Sequence, residues 1–311
     1  MVLAAASGLL AASSPLLRQV GLLDLAGPPG FDQIVFARDV LIISHGAAGT
    51  VDLFDPHKRR LIGHIRQMSS PRGIAVDEAA KLAYIANAGA HNIVLVSTED
   101  WQVKRILPLE AEPESLLLLP ERKLLYVTFP QSNAVAVLDL SLQTPPATLV
   151  RLDGRPAQFA YDSSRSRIYL SIQDRRTVLV LSPSLETLSR WTLDASEPTG
   201  LAFDFHRNRL YVAVRYAVLS LDPEGGREIA RAPVAAGIDQ IVLSPAGDCL
   251  LGAAESSVFV LPVSSSLGDP KEMPIAVKAH TLAYDSAQGL IYLPGGLEGK
   301  SKLLILKWMA K

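Results

Sequence analysis

The chain repeats one short pattern seven times, at intervals of about 42 residues. Each copy has an apolar strand, a turn, a second strand with a large apolar residue, a short loop and a third apolar strand. One clear copy reads Gly73-Ile-Ala-Val-Asp77, Leu82-Ala-Tyr-Ile-Ala-Asn87 and Asn92-Ile-Val-Leu-Val-Ser97. The second strands carry equivalent markers at Ile42, Tyr84, Tyr126, Tyr169, Tyr211, Leu251 and Tyr292. A period of this size, with about four strands, predicts an all-β, seven-bladed β-propeller with four antiparallel strands per blade.

The two ends of the chain are expected to share the last blade. The C-terminal copy supplies three strands, at 281–285, 290–293 and 302–307, and lacks an outer one. An open sheet edge would expose unpaired backbone groups. Residues 17–25 read like the outer strand at 101–109, and a Pro/Gly turn follows them. We therefore expect an N-terminal strand to close the last blade, which makes 17–311 a single propeller domain.

Residues 1–16 lie outside the repeat, and we expect a signal-like or disordered segment there. The stretch 2–12 has the length of a signal-peptide apolar region, and the small residues that follow suit cleavage. It resembles the apolar part of twin-arginine export signals, although no basic residues precede it. The stretch favours a periplasmic or secreted protein. A cytoplasmic protein with an Ala/Ser-rich tail remains the alternative.

Composition limits the partners. The chain has 30 basic and 31 acidic residues, a net charge of -1, so it lacks the basic excess of a general nucleic-acid or anionic-membrane surface. No apolar run is long enough to span a membrane. The single cysteine, Cys249, excludes an internal disulfide. We expect a monomer that binds no nucleic acid and has no transmembrane segment.

Polar residues recur where the chain enters the innermost strand of each blade. In a propeller these segments converge on one mouth of the central channel. The seven equivalent positions, called rim positions below, are Asp32, Arg72, Glu114, Ala157, Thr199, Asp239 and His280, and Gln33, Ser115, Gln158, Gln240 and Thr281 stand next to five of them. A second ring, after the second strands, includes His45 and Asn87. Polar convergence predicts a binding site, with ligand-binding candidates Asp32, Arg72, Gln158, Thr199, Gln240, His45 and Asn87.

The same mouth carries the candidate catalytic residues His280, Glu114 and Asp239. A carboxylate beside an imidazole tunes it near neutral pH for acid/base work. With Asp32, these side chains are also of the types that bind divalent cations. The sequence requires no cofactor, and a divalent metal remains possible. No Gly-rich phosphate loop, Gly-x-Ser-x-Gly turn or His-Glu-x-x-His motif is present.

The repeats resemble the YVTN-type repeats of bacterial surface and periplasmic propellers. Pro71-Arg72-Gly73, Leu82-Ala-Tyr-Ile-Ala-Asn87 and Asn92 match the family pattern well, and the likeness extends over nearly the whole chain. Related propellers include lactonases, lyases, electron-transfer enzymes and pure binding scaffolds, so the fold does not choose a function. The metal-binding Glu/Asn/Asp set of the gluconolactonase relatives does not map onto this chain.

Two hypotheses follow. The first is an extracytoplasmic binding scaffold that recognises a protein, peptide or small ligand at the mouth of its channel. The second is a lactonase-like hydrolase or lyase that uses acid/base residues, with or without a divalent metal, at the same mouth.

Overall fold

A computed structural model describes residues 17–309 of the protein. The signal-like or disordered segment expected at 1–16 lies outside the described residues. Strand β1 (Leu17–Asp24) comes first, and five four-stranded antiparallel sheets follow, each built from four strands that are consecutive in the chain.

The first and second sheets consist of β2 (Ile34–Ala37), β3 (Val40–His45), β4 (Thr50–Asp55), β5 (Arg60–Ile65) and of β6 (Pro71–Asp77), β7 (Leu82–Asn87), β8 (Asn92–Ser97), β9 (Val103–Pro108). The third and fourth sheets consist of β10 (Leu116–Leu119), β11 (Leu124–Phe129), β12 (Ala134–Asp139), β13 (Val150–Arg151) and of β14 (Pro156–Asp162), β15 (Arg167–Ile172), β16 (Thr177–Leu181), β17 (Thr187–Thr192). The fifth sheet consists of β18 (Leu201–Asp204), β19 (Arg209–Val214), β20 (Ala217–Leu221), β21 (Glu228–Pro233). This succession is a β-propeller-like all-β architecture.

The last sheet is larger and contains both ends of the described chain. Its seven strands are β1, β22 (Ile241–Leu243), β23 (Cys249–Pro262), β24 (Lys271–Ala279), β25 (Ala283–Asp285), β26 (Leu290–Leu297) and β27 (Lys300–Trp308). Strand β1 pairs antiparallel with β27, from Leu17 opposite Trp308 to Asp24 opposite Lys302. The edge of β27 is therefore covered by the N-terminal strand, as the sequence predicts.

Apolar side chains pack between neighbouring sheets. The described residues form seven hydrophobic clusters, and each draws on two successive copies of the repeat. One of them joins the two ends of the chain: Phe36 and Phe54 of the first sheet lie 6.1 Å, centroid to centroid, from Tyr292 of the last sheet. A twisted four-stranded sheet can bury both faces only against neighbours, which explains the near-continuous apolar runs in the middle strands.

Helix is almost absent from residues 17–309, as expected from the sequence. Its five helices are single 3-10 turns: η1 (Gly46–Ala48), η2 (Ala88–Ala90), η3 (Pro120–Arg122), η4 (Pro130–Ser132) and η5 (Gln173–Arg175). No helix in this range is long and apolar enough to cross a membrane.

One face of the molecule, called the turn face below, carries the turns between the first and second strands of each sheet. Its buried carboxylates are fully paired. Asp162, whose side chain is 0% exposed, accepts hydrogen bonds from Arg165 Nη1 at 2.8 Å and from Ser164 Oγ at 2.6 Å. Asp204 is bound in the same way by Arg207 Nη1, at 3.0 Å. These ion pairs fix the turns.

Candidate functional site

A polar cavity of about 200 Å³ lies on the side opposite the turn face, where the chain enters the innermost strands. We call it the mouth cavity. All six described sheets, or the segments that lead into them, contribute to its wall. The lining residues are Asp32, Gln33, Arg72, Gly73, Glu114, Ser115, Arg155, Ala157, Gln158, Gln173, Thr199 and Asp239. Six of the seven predicted rim positions therefore meet at one place, because equivalent residues of successive repeats face the same axis.

Two glycines of the repeat explain how neighbouring rim segments come so close. A Cβ atom on Gly73 would lie 2.3 Å from the Glu114 carbonyl oxygen, to which the Gly73 N–H donates at 2.9 Å. A Cβ on Gly200 would lie 2.8 Å from the backbone nitrogen of Ile241 and 3.1 Å from the Asp239 carbonyl oxygen. Only glycine permits this approach, so the repeated glycine fixes the backbone of two candidate site carboxylates.

Three charged rim residues from the first three sheets form a loose group. Arg72 Nη1 lies 3.7 Å from Asp32 Oδ1 and 3.8 Å from Glu114 Oε2, beyond hydrogen-bond distance. The Asp32 carboxyl is partly buried, and this burial raises its pKa to about 6, with Arg72 opposing the shift and Glu114 adding to it. Asp32 thus gains and loses its proton near neutral pH.

Asp239 and His280 form a second pair, contributed by the last sheet and the segment before it. His280 Nε2 lies 3.8 Å from Asp239 Oδ2 and 2.8 Å from the Phe31 carbonyl oxygen. The carbonyl is the nearer acceptor, so Nε2 donates to the backbone and Nδ1 is the atom left for chemistry. Burial by the surrounding walls raises the pKa of Asp239, and His280 opposes the shift.

Several predicted binding residues are already engaged with neighbouring sheets. Thr199 Oγ1 donates to the Ile238 carbonyl at 2.6 Å, and Thr281 Oγ1 donates to Gln240 Oε1 at 2.7 Å. These hydrogen bonds link successive repeats around the cavity. The Gln158 side chain, in contrast, lines the cavity and makes no hydrogen bond among residues 17–309.

Arg155 and Gln173 line the cavity and were not predicted. Arg155 stands two residues before rim position Ala157, and Gln173 begins η5. The backbone of Arg155 is held on both sides, because its N–H donates to Asp174 Oδ1 at 2.7 Å and its carbonyl accepts from the Gln173 N–H at 2.9 Å. The sequence does carry a signal for Arg155, because it adjoins a proline at the start of an innermost strand, as Arg72 does. Arg72 follows its proline, whereas Arg155 precedes one.

His45 lies at the end of a second strand, as predicted, but its side chain does not line the mouth cavity. It is the last residue of β3, is fully buried, and is not part of the cavity wall. Its Nδ1 lies 2.9 Å from Asp52 Oδ2, and its Nε2 lies 2.8 Å from the Pro28 carbonyl oxygen. Both ring nitrogens therefore have oxygen partners. Because Pro28 belongs to the segment that follows β1, its hydrogen bond with His45 holds that segment in place.

Asn87 is likewise turned into the protein. It is 4% exposed, its Oδ1 accepts from the Ser69 N–H at 2.6 Å, and its Nδ2 donates to Asn92 Oδ1 at 3.1 Å. The polar side chains of His45 and Asn87 therefore satisfy nearby groups of the protein and do not face the cavity.

The described residues do not provide the set of ligands that the metal hypothesis requires. Among the residues that the structure describes, no group of three or more His, Cys, Asp or Glu side chains is arranged to hold a metal ion.

Comparison with known proteins identifies the fold alone. No protein-family model matches the chain. No curated protein matches its sequence. Among solved structures, it is similar to hydrazine synthase from Kuenenia stuttgartiensis, with a TM-score of 0.76 and 13% sequence identity; the match covers 89% of this chain and 96% of that one. At this identity, the likeness supports the architecture and carries no activity.

Proposed function

We propose that this protein is a seven-bladed β-propeller of the YVTN-repeat type that works outside the cytoplasm as a binding scaffold. Its ligand is a small molecule, a peptide or a protein segment, held at the mouth cavity. The observation that carries the proposal is the convergence of residues from equivalent positions of six repeats, five of them polar and of four residue types, on one small polar cavity.

Seven blades are supported by the seven hydrophobic clusters, one of which joins the first sheet to the last. In this reading the seven-stranded sheet is two blades. The two blades are joined by one residue pair, Lys278 and Gly296, which links β24 to β26. The sheet has seven strands instead of eight because β23 runs through Glu255 and Ser256 without a break and so spans two strand positions of one blade. An experimental structure with six or eight blades around the axis would contradict the count.

Location outside the cytoplasm is supported by the repeat resemblance and by the apolar N-terminal stretch. The test is the N-terminal sequence of the native protein in separated cell fractions. A mature chain that begins after the apolar stretch and is recovered outside the cytoplasm agrees with export, and a chain in the cytoplasm that still begins at Met1 contradicts it.

Binding at the mouth is tested with a panel of amino acids, sugars, nucleotides and short peptides, by thermal shift and calorimetric titration. The variant is Glu114→Gln, and the control is Glu121→Gln, an exposed carboxylate of the same repeat on the turn face. A ligand of the mouth stabilises the wild type and the control alike, and its affinity falls about tenfold, or 1.4 kcal/mol, in Glu114→Gln. Equal affinity for both variants would contradict binding at the part of the mouth that Glu114 lines.

A lactonase-like hydrolase or lyase is the second candidate. Asp32 favours it, since a carboxyl group whose pKa is about 6 suits general acid/base catalysis near neutral pH. In this reading Asp32 joins Glu114, Asp239 and His280 as a proton-transfer group. The test is a panel of lactones and esters, with pH profiles for the wild type and Asp32→Asn. A rate that changes near pH 6 in the wild type alone agrees with catalysis, and identical profiles contradict it.

A further inference from the structure

The mouth cavity has two unlike halves. On the side of the first three sheets, Asp32, Arg72 and Glu114 line the cavity with charged side chains, two of them long, and Arg72 lies 3.7 Å from Asp32 and 3.8 Å from Glu114. On the side of the fourth and fifth sheets, the rim positions hold the small residues Ala157 and Thr199. These smaller side chains leave an open part of the cavity, with more room for a ligand, beside Ala157 and Thr199.

Two opposite charges flank this open part. Arg155 stands before Ala157, and Asp239 is the rim residue that follows Thr199 around the ring; both line the cavity. Burial raises the pKa of Asp239, and the Arg155 guanidinium is close enough to oppose part of this shift, as His280 also does. Neither side chain makes a hydrogen bond to another group among residues 17–309, although both have strong hydrogen-bonding capacity.

Both residues are also held in place through their backbones. Hydrogen bonds with Asp174 and Gln173 fix Arg155, and a Cβ on the preceding Gly154 would lie 2.6 Å from Asp174 Oδ1, so the segment is tightly packed. The Thr199 hydroxyl holds Ile238, and Gly200 lies against the Asp239 carbonyl. The backbones are therefore fixed, and each charged end keeps hydrogen-bonding capacity for a ligand, although His280 Nε2 lies 3.8 Å from Asp239 Oδ2.

We propose that this half of the cavity binds a small zwitterion of the amino-acid type, with its carboxylate on Arg155 and its ammonium group on Asp239. The guanidinium presents two parallel N–H donors that match a carboxylate. The Asp239 carboxylate accepts hydrogen bonds from the ammonium, and the Gln158 and Gln173 amides are at hand for the remaining polar atoms. A volume of about 200 Å³ admits a molecule of this size and excludes a folded domain.

This inference rests on the proposed function, because it names the ligand class of the same cavity. The probes are glycine, β-alanine, 4-aminobutyrate, 5-aminovalerate and 6-aminohexanoate, with butyrate and propylamine as single-charge probes. The series varies the distance between carboxylate and ammonium. Calorimetric titration should show one optimal length, bound at least tenfold more tightly than either single-charge probe.

Variants separate the two ends of the ligand. Arg155→Gln should weaken the optimal zwitterion and butyrate about tenfold and leave propylamine unchanged. Asp239→Asn should weaken the zwitterion and propylamine and leave butyrate unchanged. The control is Arg215→Gln, which removes the guanidinium of an exposed pair with Glu197 (2.6 Å) outside the cavity wall and should leave all affinities unchanged.

Three outcomes would overturn the inference: no preference for zwitterions over single-charge probes, equal losses in Arg155→Gln and Arg215→Gln, or a length series without an optimum. A sugar or nucleotide that binds in a Glu114-dependent way, while the whole series fails to bind, would leave the proposed function standing and remove this assignment alone. If no ligand of any class depends on Glu114, Arg155 or Asp239, the proposed function itself fails.

Discussion

The turn face and the mouth cavity use the same side chains in opposite ways. At the turn face, Arg165 lies 2.8 Å from Asp162, which has no exposed surface. At the mouth, Arg72 lies 3.7 Å from Asp32, whose side chain is 31% exposed. Burial would raise the pKa of Asp162, but hydrogen bonds from Ser164 and Arg165 outweigh burial and lower this pKa below its ordinary value. Asp32 lacks such hydrogen bonds within residues 17–309, and burial raises its pKa to about 6. Charges at the turn face are satisfied within the protein, and those at the mouth are not.

The largest expected difference concerns stability. Asp162→Ala leaves Arg165 without its buried partner and removes the hydrogen bonds that order the turn. The free energy of unfolding should therefore fall by about 3 kcal/mol. Asp32→Ala should change the free energy of unfolding by about 0.5 kcal/mol or less, since Asp32 makes no close ion pair. Chemical denaturation of both variants measures this. Equal losses of unfolding free energy in the two variants would mean that Asp32 stabilises the fold as much as Asp162 does.

A second prediction separates the ways in which the two regions are positioned. Gly200→Ala places a methyl group against Ile241 and Asp239, so we expect a loss of about 2 kcal/mol and a shift of the Asp239 backbone. Gly225→Ala is the matched control, because no atom lies within 4 Å of its added Cβ. Thermal melts compare the two variants. A Gly200→Ala protein as stable as Gly225→Ala would show that close approach does not set the geometry of the mouth.

The smallest expected effect is in the pH dependence, and it has opposite signs in the two regions. The folded-state pKa of Asp32, about 6, exceeds its ordinary value of 3.8. Its ionisation therefore costs stability as the pH rises from about 4 to 6, and the cost persists above. Asp32→Asn removes this cost and should melt about 1–2 °C above the wild type at pH 7, with no gain at pH 3.5.

Asp162 provides the contrast. Its pKa is lowered in the folded state, so it stabilises the protein above its ordinary pKa, and this contribution is lost as the pH falls through the folded-state value. Asp162→Asn should melt below the wild type at pH 7, and the gap should close in acid. Melting curves of both variants between pH 3 and 8 would refute the contrast if they ran parallel.

The repeat made most of the strand order predictable, because the period of about 42 residues and the spacing of glycine and tyrosine follow directly from the packing of one sheet on the next. Rim positions such as Asp32, Glu114 and Asp239 could be aligned for the same reason. Arg155 could not, since it precedes the proline where Arg72 follows one, and alignment by position skips it. The burial of His45 depends on Asp52 and on the Pro28 carbonyl, and no repeat pattern records such partners. The continuous strand β23 was also hidden, because no sequence signal distinguishes its Glu255–Ser256 crossing from a loop.

Pairing of β1 with β27 has a consequence for synthesis of the chain. Asp24 leaves the ribosome about 280 residues before Lys302, its partner in the sheet, and at about 5–20 residues per second the interval lasts roughly 15 to 55 seconds. Throughout that time the native partner of β1 does not exist, while the five four-stranded sheets between the two ends can already form from strands that are adjacent in the chain. The slowest native contact to form is thus the one that joins the first described strand to the last.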